Sequence, residues 1–297
     1  MTETGGNPPA APMASAPPIP WTKVAWIIGL LVLAYLPILI RMADQWSTDD
    51  DMSHGFFVPA VTAYIAYQRR EELLTTEAKP SYLGLFIMLW SLAQMCVGIL
   101  GAELFLQRSA FVGSVWGAIL FLGGWPFIRV LTLPMVMLPL MVPLPAIIYN
   151  QVTFPLQLFA SAVAENALSI LGIPVLRDGN VLELANQKLS VVEACSGIRS
   201  LLSLTFLSLV YGYLSEKSLG IRWAIFLASI PIAVAANAFR VSATGVISEY
   251  NPELAKGFLH TLEGGVAFAF AFTLMILFHV VLKKIIAFRG RPTPAEA

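Results

Sequence analysis

The sequence predicts an all-α polytopic membrane protein with about eight transmembrane helices and a small β-hairpin on its outer face. Three observations predict it. Of 297 residues, 57% are hydrophobic and only 12% charged, about half the charged fraction of an ordinary soluble domain. Apolar runs of bilayer length recur along the chain. One segment between them alternates apolar and polar residues around Asp178-Gly179, the pattern of two strands joined by a tight turn.

The first twenty residues, rich in Pro, Ala, Gly and Ser, cannot form a packed unit and read as a disordered tail. They lack the cleavage pattern of a secretion signal. Apolar runs follow at 24–40, 82–100, 109–124, 130–149, 196–214, 223–240 and 260–282, with a shorter one at 54–68. Most approach or reach the ~17–25 residues that a spanning helix needs. Residues 21–288 are therefore expected to form a single transmembrane domain, and 289–297 a short cytoplasmic tail.

Placing the N-terminus inside gives the cytoplasmic segments nearly twice as many Lys and Arg as the outer ones, as the positive-inside bias requires. An even number of spans returns the C-terminus to the same side. The longest non-spanning piece, 150–193, is then outside. Its first part, "TFPLQLFASAVAENALSILG", reads as an amphipathic helix on the membrane or as a short re-entrant segment. Its second part, "VLRDGNVLELANQKLSVVEA", is the expected hairpin and delivers the chain to Cys195.

The run 130–149 carries Pro134, Pro139, Pro143 and Pro145. Each proline removes a backbone donor, so a straight helix is not expected. A kinked wall opening a slot between helices and a simply bent helix both satisfy that pattern. "GSVWG", Gly113 to Gly117, has the small-xxx-small spacing that lets helices approach closely.

Zero net charge offers no field for nucleic acid, which is not expected as a partner. Two cysteines without a C-x-x-C make neither a metal cage nor a disulfide framework. No metal and no cofactor are expected.

Ionisable residues within or at the edge of spans are costly and mark function. Cys195 precedes the span 196–214, Arg240 ends the span 223–240, and His260 begins the last one, all on the outer side. Together they could perform nucleophilic chemistry. A cysteine at a helix start near cations has a lowered pKa. His260 could hold the thiolate and later protonate a leaving amine. Arg240 offers a fixed fork of donors to a developing oxyanion.

Arg199, four residues after Cys195, and Asn237, three before Arg240, share faces with them. Glu263, three residues after His260, could orient the imidazole. The ordinary alternatives are an apolar packing cysteine, an arginine snorkelling to the interface and a solvated histidine. His54, in "DMSHGFF", fits substrate binding or a helix cap. His279 falls on the cytoplasmic side. Cys96 lacks a basic neighbour and reads as packing, although depth alone allows a disulfide with Cys195.

These motifs resemble the exosortase/archaeosortase family of polytopic membrane cysteine transpeptidase-like enzymes. The resemblance rests on "EACSGIRS" from Glu193, "NAFRVSATG" from Asn237, "HTLEGG" from His260 and "SHG" from Ser53. It implies a Cys-Arg-His site at Cys195, Arg240 and His260, and the histidine favours the bacterial exosortase branch. Arg199 would be a supporting or substrate-binding cation, and Glu193 would pair with an arginine or stay solvated.

The resemblance further implies secreted substrates with a three-part C-terminal sorting tail: a Pro-Glu-Pro motif, a hydrophobic helix and a basic cluster. Cleavage would occur at the outer face of the bacterial inner membrane, with transfer to an unknown acceptor and a link to exopolysaccharide and biofilm export. The bilayer itself is the other expected partner. Two other readings compete: a thiol redox protein using Cys96 and Cys195, and a transporter with Arg199 and Arg240 on its pathway.

Overall fold

The computed structural model describes residues 21–185, 188–190, 197–250 and 258–289, of which 21, 50–51, 197–200, 250, 258–264 and 289 are described as backbone alone. Helices dominate the chain, with one small antiparallel sheet. In order they are α1 (Trp21–Thr48), α2 (Phe57–Gln68), α3 (Arg70–Thr75), α4 (Tyr82–Leu100), α5 (Leu104–Val130), α6 (Thr132–Met137) and α7 (Ala146–Ile170). Strands β1 (Val175–Asp178), β2 (Val181–Leu184) and β3 (Lys188–Ser190) precede α8 (Gly197–Ser215), α9 (Leu219–Tyr250) and α10 (Phe258–Arg289). Short 3₁₀ segments lie at Asp50–Phe56 and Leu138–Met141.

Among the described residues, five helices are long and apolar enough to cross a membrane, or six if one bent pair counts as a span. The expected eight are not reached by that measure. α2 has only twelve residues, short of the roughly 20 that hydrocarbon thickness requires. The run 130–149 is not one helix: segments Thr132–Met141 and Ala146–Ile170 meet at 91°. Pro143 and Pro145 occupy the break and cannot continue a helical ladder.

The chain divides into two compact units. The first comprises the described residues up to Ile40 together with Thr62–Val136. Its centre is the α4–α5 hairpin, built on glycines. A Cβ on Gly84 would fall 2.2 Å from the backbone nitrogen of Phe121, and one on Gly117 would fall 2.8 Å from the carbonyl oxygen of Gly84. A Cβ on Gly113 would stand 2.5 Å from Ser91 Oγ. The "GSVWG" spacing therefore does bring two backbones together.

Side-chain hydrogen bonds tie this unit where lipid offers no partner. Gln94 Nε2 donates to Ser109 Oγ at 2.8 Å and Gln107 Nε2 to the Gly98 carbonyl at 2.9 Å. Tyr35 Oη lies 2.8 Å from Ser114 Oγ. Arg108 lies inside α5 and is buried. A cavity of about 660 Å³ lies in this unit among α1, α3 and α5, apolar except for Tyr67 and Arg70, and none of the candidate residues lines it.

The second unit contains Arg41–Val61 and the chain from Met137 onward. α9 packs against α7, α8 and α10. On one side Ala238 and Val241 join Ala160, Ala164 and Leu168 of α7. On another, Ala233 and Ala236 meet Leu204 of α8 and Ala271 and Met275 of α10.

The sheet has three strands where the sequence suggested two. Its order is β1-β2-β3, with Asp178 paired to Val181 and Leu182 paired to Leu189. Gly179 takes the turn with φ at +62°, a conformation that glycine adopts without a Cβ penalty. Leu182 and Leu184 of β2 and Leu189 of β3 share one face against α7 and α9. Ser161 Oγ donates to the Gly179 carbonyl at 3.0 Å, and Arg177 Nε to Glu165 Oε2 at 2.7 Å, so the turn is fastened to α7.

Gly84→Val is expected to destabilise the protein by about 1–3 kcal/mol through overpacking. Gly29→Val, with nothing within 4 Å of its Cβ position, should change little. Thermal unfolding in detergent checks the pair.

Candidate active site

Of the candidate residues described with their side chains, Arg240, Asn237 and His54 lie in the second unit. Arg240 and Asn237 are fully described. Both are buried in α9, 7% and 6% exposed. The sequence put Arg240 at the end of its span; the helix instead continues ten residues to Tyr250, about 15 Å at 1.5 Å per residue. Arg240 therefore stands well inside the helix.

It is one of a row. Asn237, Arg240, Thr244 and Ser248 follow spacings of three and four, share a helix face and are all buried. Thr244 Oγ1 donates to the Arg240 carbonyl at 3.0 Å, and Ser248 Oγ to the Gly245 carbonyl at 3.0 Å. Sequence reading singled out the first two and missed the hydroxyl residues, although the same periodicity marks them.

Asn237 lines a cavity of about 10 Å³ with Leu156 of α7, Leu201 of α8, and Ala233 and Val234 of α9. Three helices meet there. α8 and α9 are successive packed helices joined by a short turn, so they run in opposite directions. A step along α9 from Asn237 to Arg240 thus corresponds to a step along α8 from Leu201 back toward Gly197.

Cys195 and Glu193 lie outside the described residues, as do the side chains of Arg199, His260 and Glu263. The backbone positions of the last three are described. Arg199 is in the first turn of α8, His260 in the first turn of α10, and Glu263 one turn further. Cys195 precedes α8 by two residues.

His54 is buried, 5% exposed, in the 3₁₀ segment Asp50–Phe56. Its Nε2 donates to the Leu140 carbonyl at 3.1 Å. Trp46 Nε1 donates to the next carbonyl, Met141, at 3.1 Å. The proline-broken segment leaves those carbonyls outside any helical ladder, and two ring N–H groups satisfy them. The 3₁₀ segment with His54 also packs against α8. Cys96 is a free, exposed thiol in the first unit.

The far ends of α8 and α10 hold a polar cluster that the sequence did not reveal. His279 Nε2 donates to Glu216 Oε1 at 2.9 Å, and Lys283 Nζ lies 2.6 Å from the same oxygen. Tyr211 Oη lies 2.8 Å from Nδ1 of the same ring. The Lys283 ammonium holds the Glu216 carboxyl below its ordinary value; desolvation opposes this and His279 adds to it. On the sheet, the hydrogen bond from Lys188 to Glu183 raises the Lys188 ammonium above its ordinary value.

With this geometry in view, the chain matches the transmembrane exosortase family over residues 46–277. It belongs to that family, and so to a class of multi-pass membrane sorting enzymes. The match spans the segments with His54, Cys195, Arg240 and His260. No curated protein and no solved structure matches the chain.

A carboxyl with a depressed folded pKa contributes stability above its unfolded pKa and loses it as pH falls through the folded value. Glu216→Gln should therefore lower the unfolding temperature at pH 7. The difference from wild type should shrink as pH falls below about 4.3, measured by thermal unfolding in detergent from pH 7 to pH 3.5.

Proposed function

We propose that the protein is a membrane-embedded cysteine peptidase or transpeptidase that removes C-terminal sorting tails from secreted proteins. Its site would comprise Cys195, Arg240 and His260. The observation that carries this reading is Arg240, a charge buried within an apolar helix. An intramembrane arginine enclosed by protein is a mark of function, and Arg240 stands one turn beyond Asn237, toward the level where α8 begins.

The Cys195 thiolate attacks the scissile carbonyl carbon, forming a C–S bond and an oxyanion. Arg240 donates to that oxyanion, a role suited to a fixed guanidinium shielded from water. Collapse breaks the C–N bond, and the His260 imidazolium gives its proton to the departing amine. Water or an acceptor nucleophile then attacks the thioester, yields a proton to His260 and returns Cys195 as thiolate. Arg199 and Asn237 support substrate or Arg240. Glu263 orients His260, Glu193 offers a counter-charge, and His54 holds the proline-broken segment beside α8.

The substrate tail carries a Pro-Glu-Pro motif, a hydrophobic helix and a basic cluster. Basic residues held inside and a helix in the bilayer would bring the motif to the outer interface. The enzyme is thus assigned to the bacterial inner membrane with both termini cytoplasmic, about eight crossings and its site on the periplasmic face. Its products would enter exopolysaccharide and biofilm-matrix export.

Co-expression with a protein carrying this tail tests the reading through intact product masses. Wild type and Cys96→Ala should remove the tail. Cys195→Ala should leave it intact, and Arg240→Lys should slow removal about 100-fold, as loss of an oxyanion donor does. Equal processing by Cys195→Ala and wild type would refute the assignment.

A further inference from the structure

Among the described residues the sheet ends on β3. Among the described residues β3 pairs with β2, and no strand pairs with its other side. Open edges present unused N–H and C=O groups and recruit extended peptides. Cys195 is the fifth residue after Ser190, a reach of at most about 18 Å at 3.6 Å per residue. The edge therefore lies within one short peptide length of the proposed nucleophile.

The register shows which groups are available. Asp178 and Val181 flank a two-residue turn, so their backbone groups bond to each other. Polar groups along a strand alternate between its two sides. Those of Val181 face β1, and those of Leu182 face β3. Leu189, opposite Leu182, is thereby bonded to β2. The N–H and C=O groups of Lys188 and Ser190 point away from the sheet.

The side chains sort in the same way. Leu189 packs on the core beneath the sheet. The Lys188 side chain is 73% exposed on the opposite face, beside Glu183. One of its three donors engages Glu183, leaving capacity for a second carboxylate.

We propose that this edge is the docking site for the Pro-Glu-Pro motif, which adds to β3 as an antiparallel strand with its glutamate opposite Lys188. This rests on the reading above of the substrate. A residue opposite Lys188 exchanges both backbone hydrogen bonds with it and brings its side chain alongside the ammonium. The two flanking prolines fall at positions whose nitrogens face away from β3. Their missing donors cost nothing there, and they leave the new outer edge unable to pair further. A proline-flanked acidic residue thus complements both the hydrogen-bond spacing and the charge of the edge.

Two measurements test this together. The first is affinity of purified full-length Cys195→Ala enzyme for a synthetic Pro-Glu-Pro peptide. The second is tail removal in cells by enzymes retaining Cys195. Lys188→Gln should weaken peptide binding about tenfold, and Lys188→Glu should do so further. A Pro-Lys-Pro peptide should bind Lys188→Glu better than the parent, a reversal that a folding defect cannot produce. Ser190→Pro, which deletes an outward N–H without touching the ladder, should also weaken binding.

If tails are removed but all three variants bind and process as the parent does, the edge is not the docking site and the peptidase reading stands. If the peptide binds with the predicted charge reversal but no tail is removed, the docking site stands and the peptidase reading falls. Absence of both binding and removal overturns both.

Discussion

A guanidinium inside an apolar helix must be enclosed, and enclosing Arg240 organises the second unit. An isolated charge in hydrocarbon is costly by several kcal/mol even on the lowest scales. α9 packs with α7, α8 and α10 instead of facing lipid all round, so the Arg240 side chain lies within protein, where polar partners can reach it. Small residues make the packing possible: Ala233, Ala236 and Ala238 flank the polar row and let neighbouring helices approach. The row of Asn237, Arg240, Thr244 and Ser248 is consequently internal, and its hydroxyls close onto helix carbonyls where no water is needed.

The same three-helix group is fixed at its other end. Glu216, at the α8–α9 turn, receives His279 and Lys283 of α10, and Arg222 Nε donates to the Glu216 carbonyl at 2.7 Å. These contacts set the relative axial position of α8, α9 and α10. A slip of one residue along α8 would move its axis by about 1.5 Å. That displacement would separate Glu216 from His279 and, at the opposite end, shift Gly197 relative to Arg240. The polar cluster distant from the candidate site thus holds the alignment on which that site depends.

Much of this was legible because the bilayer restricts the choices. Bilayer-length apolar runs gave α4 at 82–100 with its observed bounds, and four prolines announced the break before α7. Asp178-Gly179 marked the turn. Less legible was anything fixed by lateral packing. The full length of α9 beyond Arg240 was hidden because "VSATGVISEY" is too polar to read as a span, yet Thr244 and Ser248 are buried. The third strand was missed because three residues are too few for a periodicity. The Tyr211–His279–Glu216–Lys283 cluster joins residues up to 72 positions apart, a relation no local pattern carries.

The sheet and the buried arginine have complementary properties for the sorting enzyme proposed above. A bundle core can position a charge and exclude water, but its helices have used their own backbone hydrogen bonds and offer little to an extended peptide. A strand edge offers the reverse: directional backbone groups with a fixed spacing, and no dry interior. Joining β3 to α8 through only six intervening residues couples the two environments along one covalent path. The segment bearing Cys195 is that connection, so a nucleophile there has the sheet on one side in sequence and the helical core on the other. Sequence adjacency of edge strand, Cys195 and helix start is therefore the order that the chemistry proposed above would require.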